Sequence, residues 1–311
     1  MPTVAIVGAG LIGRSWAIVF ARGGWDVRLS DPSAEALKAA PKLIREGLDE
    51  LAAAGIVDDP AGAAARVSAA SSLAEAVAGV DLVQENGPER VEDKQKIFAA
   101  LDAAAPRDAV LASSTSAIVA SKFTEDLPGR ERCLVAHPVN PPHLVPIVEL
   151  CGAPWTSPEV VARARQIYES VDQAPITVTR EIEGFVLNRL QVALLSEAFR
   201  LAGEGVVTPQ DLDKTLSHGL GLRWSFMGPF QTIELNAPGG IRDYCARYGD
   251  FFRRTTADPP TAAVWDEANI DRVMRAWGRA PSKEEVARRT AWRDKRLTAL
   301  MAHKRAQPDS E

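Results

Sequence analysis

Val4-Ala5-Ile6-Val7-Gly8-Ala9-Gly10-Leu11-Ile12-Gly13 is an apolar run that breaks into a Gly-x-Gly-x-x-Gly turn and continues as a helical pattern to Ala21. The glycines alone would fit any tight turn. A strand before them and a helix after them give the motif its meaning. In a dinucleotide-binding fold Gly8 makes the turn, Gly10 lets the backbone approach a pyrophosphate, and Gly13 lets the helix close on the strand. The first N–H groups of such a helix have no intrahelical acceptor, so they suit an anion. Asp31 closes the next apolar run about twenty residues on, where a carboxylate accepts from ribose hydroxyls and repels a 2′-phosphate. NAD is therefore expected as cofactor, not NADP. Arg28 lies on the same run, but Pro32 and Ser33 add no basic pocket.

Outward from this loop, short apolar runs alternate with helical patterns, the signature of βαβ units and a parallel sheet. Strands are expected at Thr3–Val7, Val27–Ser30, Leu82–Glu85, Val110–Ser113, Cys133–His137, Ile147–Leu150 and Ile176–Thr179. Helices are expected over Ile12–Ala21, Ala34–Ala54, Asp93–Ala104 and Pro158–Val171, with the Ala-rich stretch Ala52–Ala78 as two helices joined by a turn at Asp58-Asp59-Pro60. Beyond Gly184 strand-like runs cease. Phe185–Ala202 is amphipathic, Thr208-Pro209 reads as an N-cap and first helical position, and Ser282 with Glu285 reads as a capping box. The expected fold is α/β, a Rossmann-type doubly wound and mostly parallel sheet followed by an all-α C-terminal domain. The boundary falls near residue 180, giving a cofactor domain at 1–180 and a substrate and dimerisation domain at 181–311.

The bulk numbers fit this reading. The chain has 311 residues, 46% hydrophobic and 25% charged, which suffices for two domains. A formal net charge of −5 and the lack of a basic run argue against nucleic acid or an anionic membrane as partner. No apolar stretch approaches the roughly 20 residues of a membrane-spanning helix, and no secretory leader is expected. The three cysteines, Cys133, Cys151 and Cys245, are widely spaced and form no ligand pattern. Reduced thiols, a cytoplasmic location and no metal are the expectation.

Four histidines are available for proton chemistry. His303 sits in a polar terminal helix, His218 precedes Gly219 near a helix end, and His143 lies in a Pro-rich loop. His137 ends an apolar strand, and in open parallel sheets ligands bind beyond the carboxyl ends of the strands. Glu149 ends the next run, Pro146-Ile147-Val148, where a buried carboxylate needs a partner. A carboxylate beside an imidazole holds its tautomer and stabilises its charged form, which suits removal of a hydroxyl proton as hydride leaves carbon. Ser116, in Ser113-Ser114-Thr115-Ser116, follows another strand end, where it opens a helix as an N-cap or meets a ligand. Asn188 is a polar amide in an apolar helix, either a packing group or a substrate donor.

Together these pieces resemble the 3-hydroxyacyl-CoA dehydrogenase family, over residues 1–235 in order and spacing. The matching features are Gly8/Gly10/Gly13, Ser116, His137 with Asn140-Pro141, Glu149, and Gly184-Phe185 through Asn188-Arg189. Gly13-Arg14-Ser15-Trp16, His137 to Pro142, Gly184 to Gln191, Gly219 to Arg223 and Trp292-Arg293-Asp294 are similar to its L-gulonate 3-dehydrogenase and lambda-crystallin branch. The resemblance implies NAD contacts from Leu11, Ile12, Asp31, Glu89 and Lys94. It makes His137 the general base, Glu149 its orienting partner, and Ser116 and Asn188 substrate anchors. It also implies a homodimer built through the helical domain. One departure bears on substrate: Leu222-Arg223-Trp224-Ser225-Phe226 precedes Met227-Gly228-Pro229, and Arg223 suits a free carboxylate, which a CoA thioester lacks. A 3-hydroxy carboxylate such as L-gulonate is the leading expectation. The alternatives are carnitine, L-3-hydroxybutyryl-CoA, or a non-catalytic NAD-binding protein of crystallin type.

Overall fold

The apolar runs form one eight-stranded sheet in the computed structural model, which describes residues 1–307. The strands are β1 (Thr3–Val7), β2 (Asp26–Ser30), β3 (Val67–Ala69), β4 (Leu82–Glu85), β5 (Val110–Ser113), β6 (Cys133–Pro138), β7 (Ile147–Gly152) and β8 (Ala174–Val178). Their order is β3-β2-β1-β4-β5-β6-β7-β8, and every pair is parallel except β6–β7. Every residue of β1, β4, β5 and β6 is buried, as strands covered by helices on both faces require. Side-chain alternation divides the core: Val4 and Ile6 join Trp16, Phe20, Leu48 and Tyr168, while Ala5 and Val7 join Phe98, Phe123 and Phe185.

This order makes β1 the strand at which the chain reverses direction across the sheet, the usual place for a dinucleotide. Because β1, β4, β5 and β6 are parallel, the chain just after each of them leaves from one edge. Antiparallel β7 starts at that edge and sets Glu149 in register with His137.

Two expectations need correction. Ala52–Ala78 is not two helices with a turn: after the helix Ala34–Ala53 it holds the helix Pro60–Ala65, then β3, then the helix Leu73–Val77. β3 has three residues, pairs on one side only and is largely exposed, so it leaves no apolar run to read. Nor does Ser116 open a helix. The next helix begins at Ser121, and residues 114–120 are irregular.

The chain divides into two compact units, residues 1–188 with the chain from Thr290 on, and Arg189–Arg289. The expected split at 180 with 181–311 as one domain differs at both ends. Val186, Leu187 and Asn188 hydrogen-bond to Glu149 and Ser116 of the first unit. At the far end, Leu297, Met301 and Ala302 pack on the sheet core, and Arg305 bonds Asp172 and the Ile56 carbonyl.

Arg189–Arg289 is helical throughout its described secondary structure. Thr208 Oγ1 caps the helix Pro209–Thr215 by accepting from Asp211 N at 3.1 Å. The Ser282/Glu285 box is also formed: Glu285 N donates to Ser282 Oγ at 3.2 Å, and Ser282 N donates to Glu285 Oε2 at 2.8 Å.

Candidate active site

The glycine loop has the shape a pyrophosphate needs. Gly8 has φ +96°, and a Cβ there would lie 2.8 Å from the Asn86 carbonyl oxygen; one on Gly13 would lie 1.8 Å from the Gly8 oxygen. Gly10 has nothing within 4 Å of its Cβ position, so space is open where a phosphate would approach. No side chain caps the helix Leu11–Arg22, which leaves its first N–H groups for an anion. Leu11 is exposed and Ile12 half-buried at this helix start. Asp31 Oδ2 accepts from Ala9 N and Oδ1 from Ser33 N, both at 2.7 Å. It thus ties the glycine loop to the end of β2, while Ser33 Oγ, not Asp31, caps the following helix by accepting from Ala36 N. These residues fit a dinucleotide.

Beyond β4 and β5 a second group of polar side chains meets. Glu85, fully buried, accepts from Lys94 Nζ at 3.0 and 3.2 Å, from Ser113 Oγ at 2.5 Å and from Gly87 N at 2.6 Å. Lys94 is buried with it, and its Nζ lies 3.8 Å from Glu89 Oε2. Glu89 Oε1 accepts from Thr115 Oγ1 at 2.6 Å, Ser116 N at 2.9 Å and Ala117 N at 3.1 Å. One carboxylate therefore shapes the loop that carries Ser116. The Ser116 carbonyl accepts from Asn188 Nδ2 at 2.8 Å, and the Ser116 side chain is exposed.

His137 and Glu149 form the third group. His137 Nδ1 lies 2.8 Å from Glu149 Oε2, and both residues are buried. The other oxygen, Oε1, accepts from Val186 N and Leu187 N, each at 2.9 Å, at the start of the helix Leu187–Gly203. Burial by itself pushes the Glu149 carboxyl up. The hydrogen bonds from His137, Leu187 and Val186 outweigh it and hold the group below its usual range, so it is an anion at neutral pH. An anionic Glu149 requires the proton on Nδ1, which leaves the Nε2 lone pair as a base. Among the described residues Nε2 has no hydrogen-bond partner.

Every site residue expected from the sequence except Arg223 thus lies on β6 or β7, in the chain just beyond β1, β2, β4 or β5, on the helices Leu11–Arg22 and Val91–Ala104, or in the segment 184–188. Arg223 belongs to the other unit, on the short helix Gly221–Trp224, exposed and without a side-chain partner among the described residues.

The sequence matches the family description "3-hydroxyacyl-CoA dehydrogenase, NAD binding domain" over residues 3–182, and its "C-terminal domain" over residues 184–284. The chain belongs to the 3-hydroxyacyl-CoA dehydrogenase family. It is 42% identical to lambda-crystallin of Oryctolagus cuniculus, covering 97% of this chain and 96% of that one. It is 34% identical to L-carnitine dehydrogenase of Pseudomonas putida, covering 96% and 92%. Among solved structures, an NAD+-dependent 5-formyl-3-hydroxy-2-methylpyridine 4-carboxylic acid 5-dehydrogenase superposes with a TM-score of 0.82 at 29% identity, covering 96% of this chain and 97% of that one. As a member of this family the protein is an NAD-dependent dehydrogenase that acts on a hydroxyl group.

Several residues of the site were not read from the sequence. Glu85 ends the apolar strand β4, and its partner Lys94 stands nine residues on; that pairing was a usable signal. Thr115, hidden in a run of hydroxyl residues, gave none.

Proposed function

We propose that this dehydrogenase oxidises a free 3-hydroxy carboxylate, L-gulonate or a close analogue, to the 3-keto acid, with His137 as general base. The observation that carries the proton chemistry is the 2.8 Å contact between His137 Nδ1 and Glu149 Oε2, with Glu149 held as an anion by two backbone N–H groups. NAD, when bound, would supply the hydride acceptor for the carbinol carbon. His137 takes the hydroxyl proton at Nε2, and Glu149 stabilises the imidazolium that results. Ser116 and Asn188, linked through the Ser116 carbonyl, anchor the substrate oxygen that becomes the carbonyl. Gly8, Gly10, Gly13, Leu11 and Ile12 would hold the pyrophosphate, and Asp31 the ribose. Glu89 reaches the cofactor side through Oε2, and Lys94, locked on Glu85, supports that wall.

Two facts support the free acid. Arg223 presents a guanidinium with no side-chain partner among the described residues, which suits a carboxylate in a forked geometry. L-Carnitine, named for one relative, is itself a 3-hydroxy carboxylate. The family name speaks for the acyl-CoA reading, so the decisive assay follows NADH formation with L-gulonate, L-carnitine, 3-hydroxybutyrate and 3-hydroxybutyryl-CoA. Turnover of a free acid is expected, with a higher KM in Arg223→Ala. Turnover of the CoA ester alone overturns the reading, and failure of all four favours a crystallin-type role.

We also propose a homodimer joined through the helical unit. That unit exposes Leu190, Phe226, Phe230 and Leu235 at 65, 67, 72 and 73%, large apolar side chains that a second copy would cover. A cytoplasmic setting accords with Cys133 and Cys151, both buried and unpaired, whose thiols burial pushes up to about 12.

A further inference from the structure

Two consecutive residues before the helix Leu187–Gly203 are left-handed: Gly184 at φ +74° and Phe185 at φ +48°. For glycine this costs nothing. For a bulky L-residue it is an outlier that the surroundings must enforce, and such outliers gather at functional sites. Phe185 is fully buried in the core on one face of the sheet, and its ring centroid lies 5.5 Å from that of His137. The two N–H groups after the turn both donate to Glu149 Oε1, at 2.9 Å each. A right-handed Phe185 would start the helix two residues earlier and turn those N–H groups away from the carboxylate.

We propose that Phe185 is a positioning residue of the active site, whose left-handed backbone delivers two N–H groups to Glu149 and so sets the orientation of His137. The proposal rests on His137 being the base. It assigns the function to the backbone conformation; the buried ring keeps the turn in place and covers the imidazole. Asn188 follows three residues later and bonds the Ser116 carbonyl, so the same turn also sets that contact.

The test uses substitutions that separate backbone from side chain. Phe185→Gly removes the ring but favours the left-handed turn. Phe185→Ala removes the same ring and disfavours the turn. Phe185→Val keeps apolar bulk but is β-branched and disfavours the turn most. The proposal predicts kcat in the order Gly above Ala above Val, with about tenfold between Gly and Ala. The NADH dissociation constant should remain within about twofold across the set, because the loss falls on the base and the substrate anchors and not on the cofactor. The low-field proton resonance of His137 Nδ1–H should persist in the Gly variant and fade in the Ala and Val variants. Equal kcat for Gly and Ala, or Val above Gly, overturns the proposal, since packing alone would reward bulk. Hydrogen exchange on the unaltered protein decides even if the variants do not fold. Slow exchange at the Val186 and Leu187 amides is expected, and fast exchange at both overturns it. His137→Gln tests the underlying reading separately: full turnover there removes the base whatever the Phe185 ranking.

Discussion

Asp31 illustrates how much one side chain does at the residue scale. Its two oxygens hold Ala9 N and Ser33 N, so the carboxylate proposed to meet the ribose also fixes the glycine loop. Asp31→Ser should therefore weaken NAD binding and also reduce the preference for NAD over NADP by about tenfold or more, since the charge opposing a 2′-phosphate is gone. The ratio of kcat/KM for the two cofactors checks this, and an unchanged ratio contradicts it. Glu89 makes a similar double use of its carboxylate, with Oε1 closing the Ser116 loop on three donors. At this scale the sequence was informative where a polar group closed an apolar run, as with Asp31, His137 and Glu149, although Glu85 at the end of β4 was passed over. Local spacing could not show that Glu89 organises Ser116, because the two residues lie 27 positions apart.

At the scale of elements, close approach of strand and helix is the constraint. The Gly13 Cβ position is 1.8 Å from the Gly8 carbonyl oxygen, which is backbone and cannot rotate aside. Gly13→Ala must separate β1 from the helix Leu11–Arg22 and shift the phosphate cradle by a large fraction of an ångström. NADH affinity should fall by about 100-fold, as misplacements of that size do, while the chain stays folded. Fluorescence titration with NADH checks it, and native affinity contradicts it. The long apolar strands were legible because both faces of the sheet are covered, so their runs are continuous. β3 was not, being three residues at an edge, and neither was the late start of the helix at Leu187. Its periodicity extends back through Phe185, but the left-handed pair Gly184-Phe185 stops it.

For the whole molecule, pH enters through a group outside the active site. Burial, and then the neighbouring Arg22, lower the His143 pKa to about 4, against a smaller opposing effect of Asp294. A folded pKa below the unfolded value of about 6.5 means that the unfolded chain binds the proton first. The stability from a neutral His143 is thus complete above pH ~6.5 and is lost as pH falls to about 4. It amounts to roughly 3 kcal/mol at most. Glu149 acts in the same direction, since its lowered pKa favours the fold only while it is ionised. Urea unfolding at pH 7 and pH 5 should show the loss, with a flatter response in His143→Gln; an identical slope in that variant contradicts it. The return of the last helix to the first unit belongs to this scale too. Its contacts, through Leu297, Met301, Ala302 and Arg305, are set by packing across nearly the whole chain, which periodicity along the helix does not encode.

In the proposed mechanism His137, oriented by Glu149, takes the substrate proton. The direct measurement is single-turnover NADH formation by His137→Gln beside its NADH dissociation constant. The rate is expected to fall by about 10²–10⁴-fold, with cofactor affinity within about twofold of the unaltered protein. An undiminished rate would contradict it.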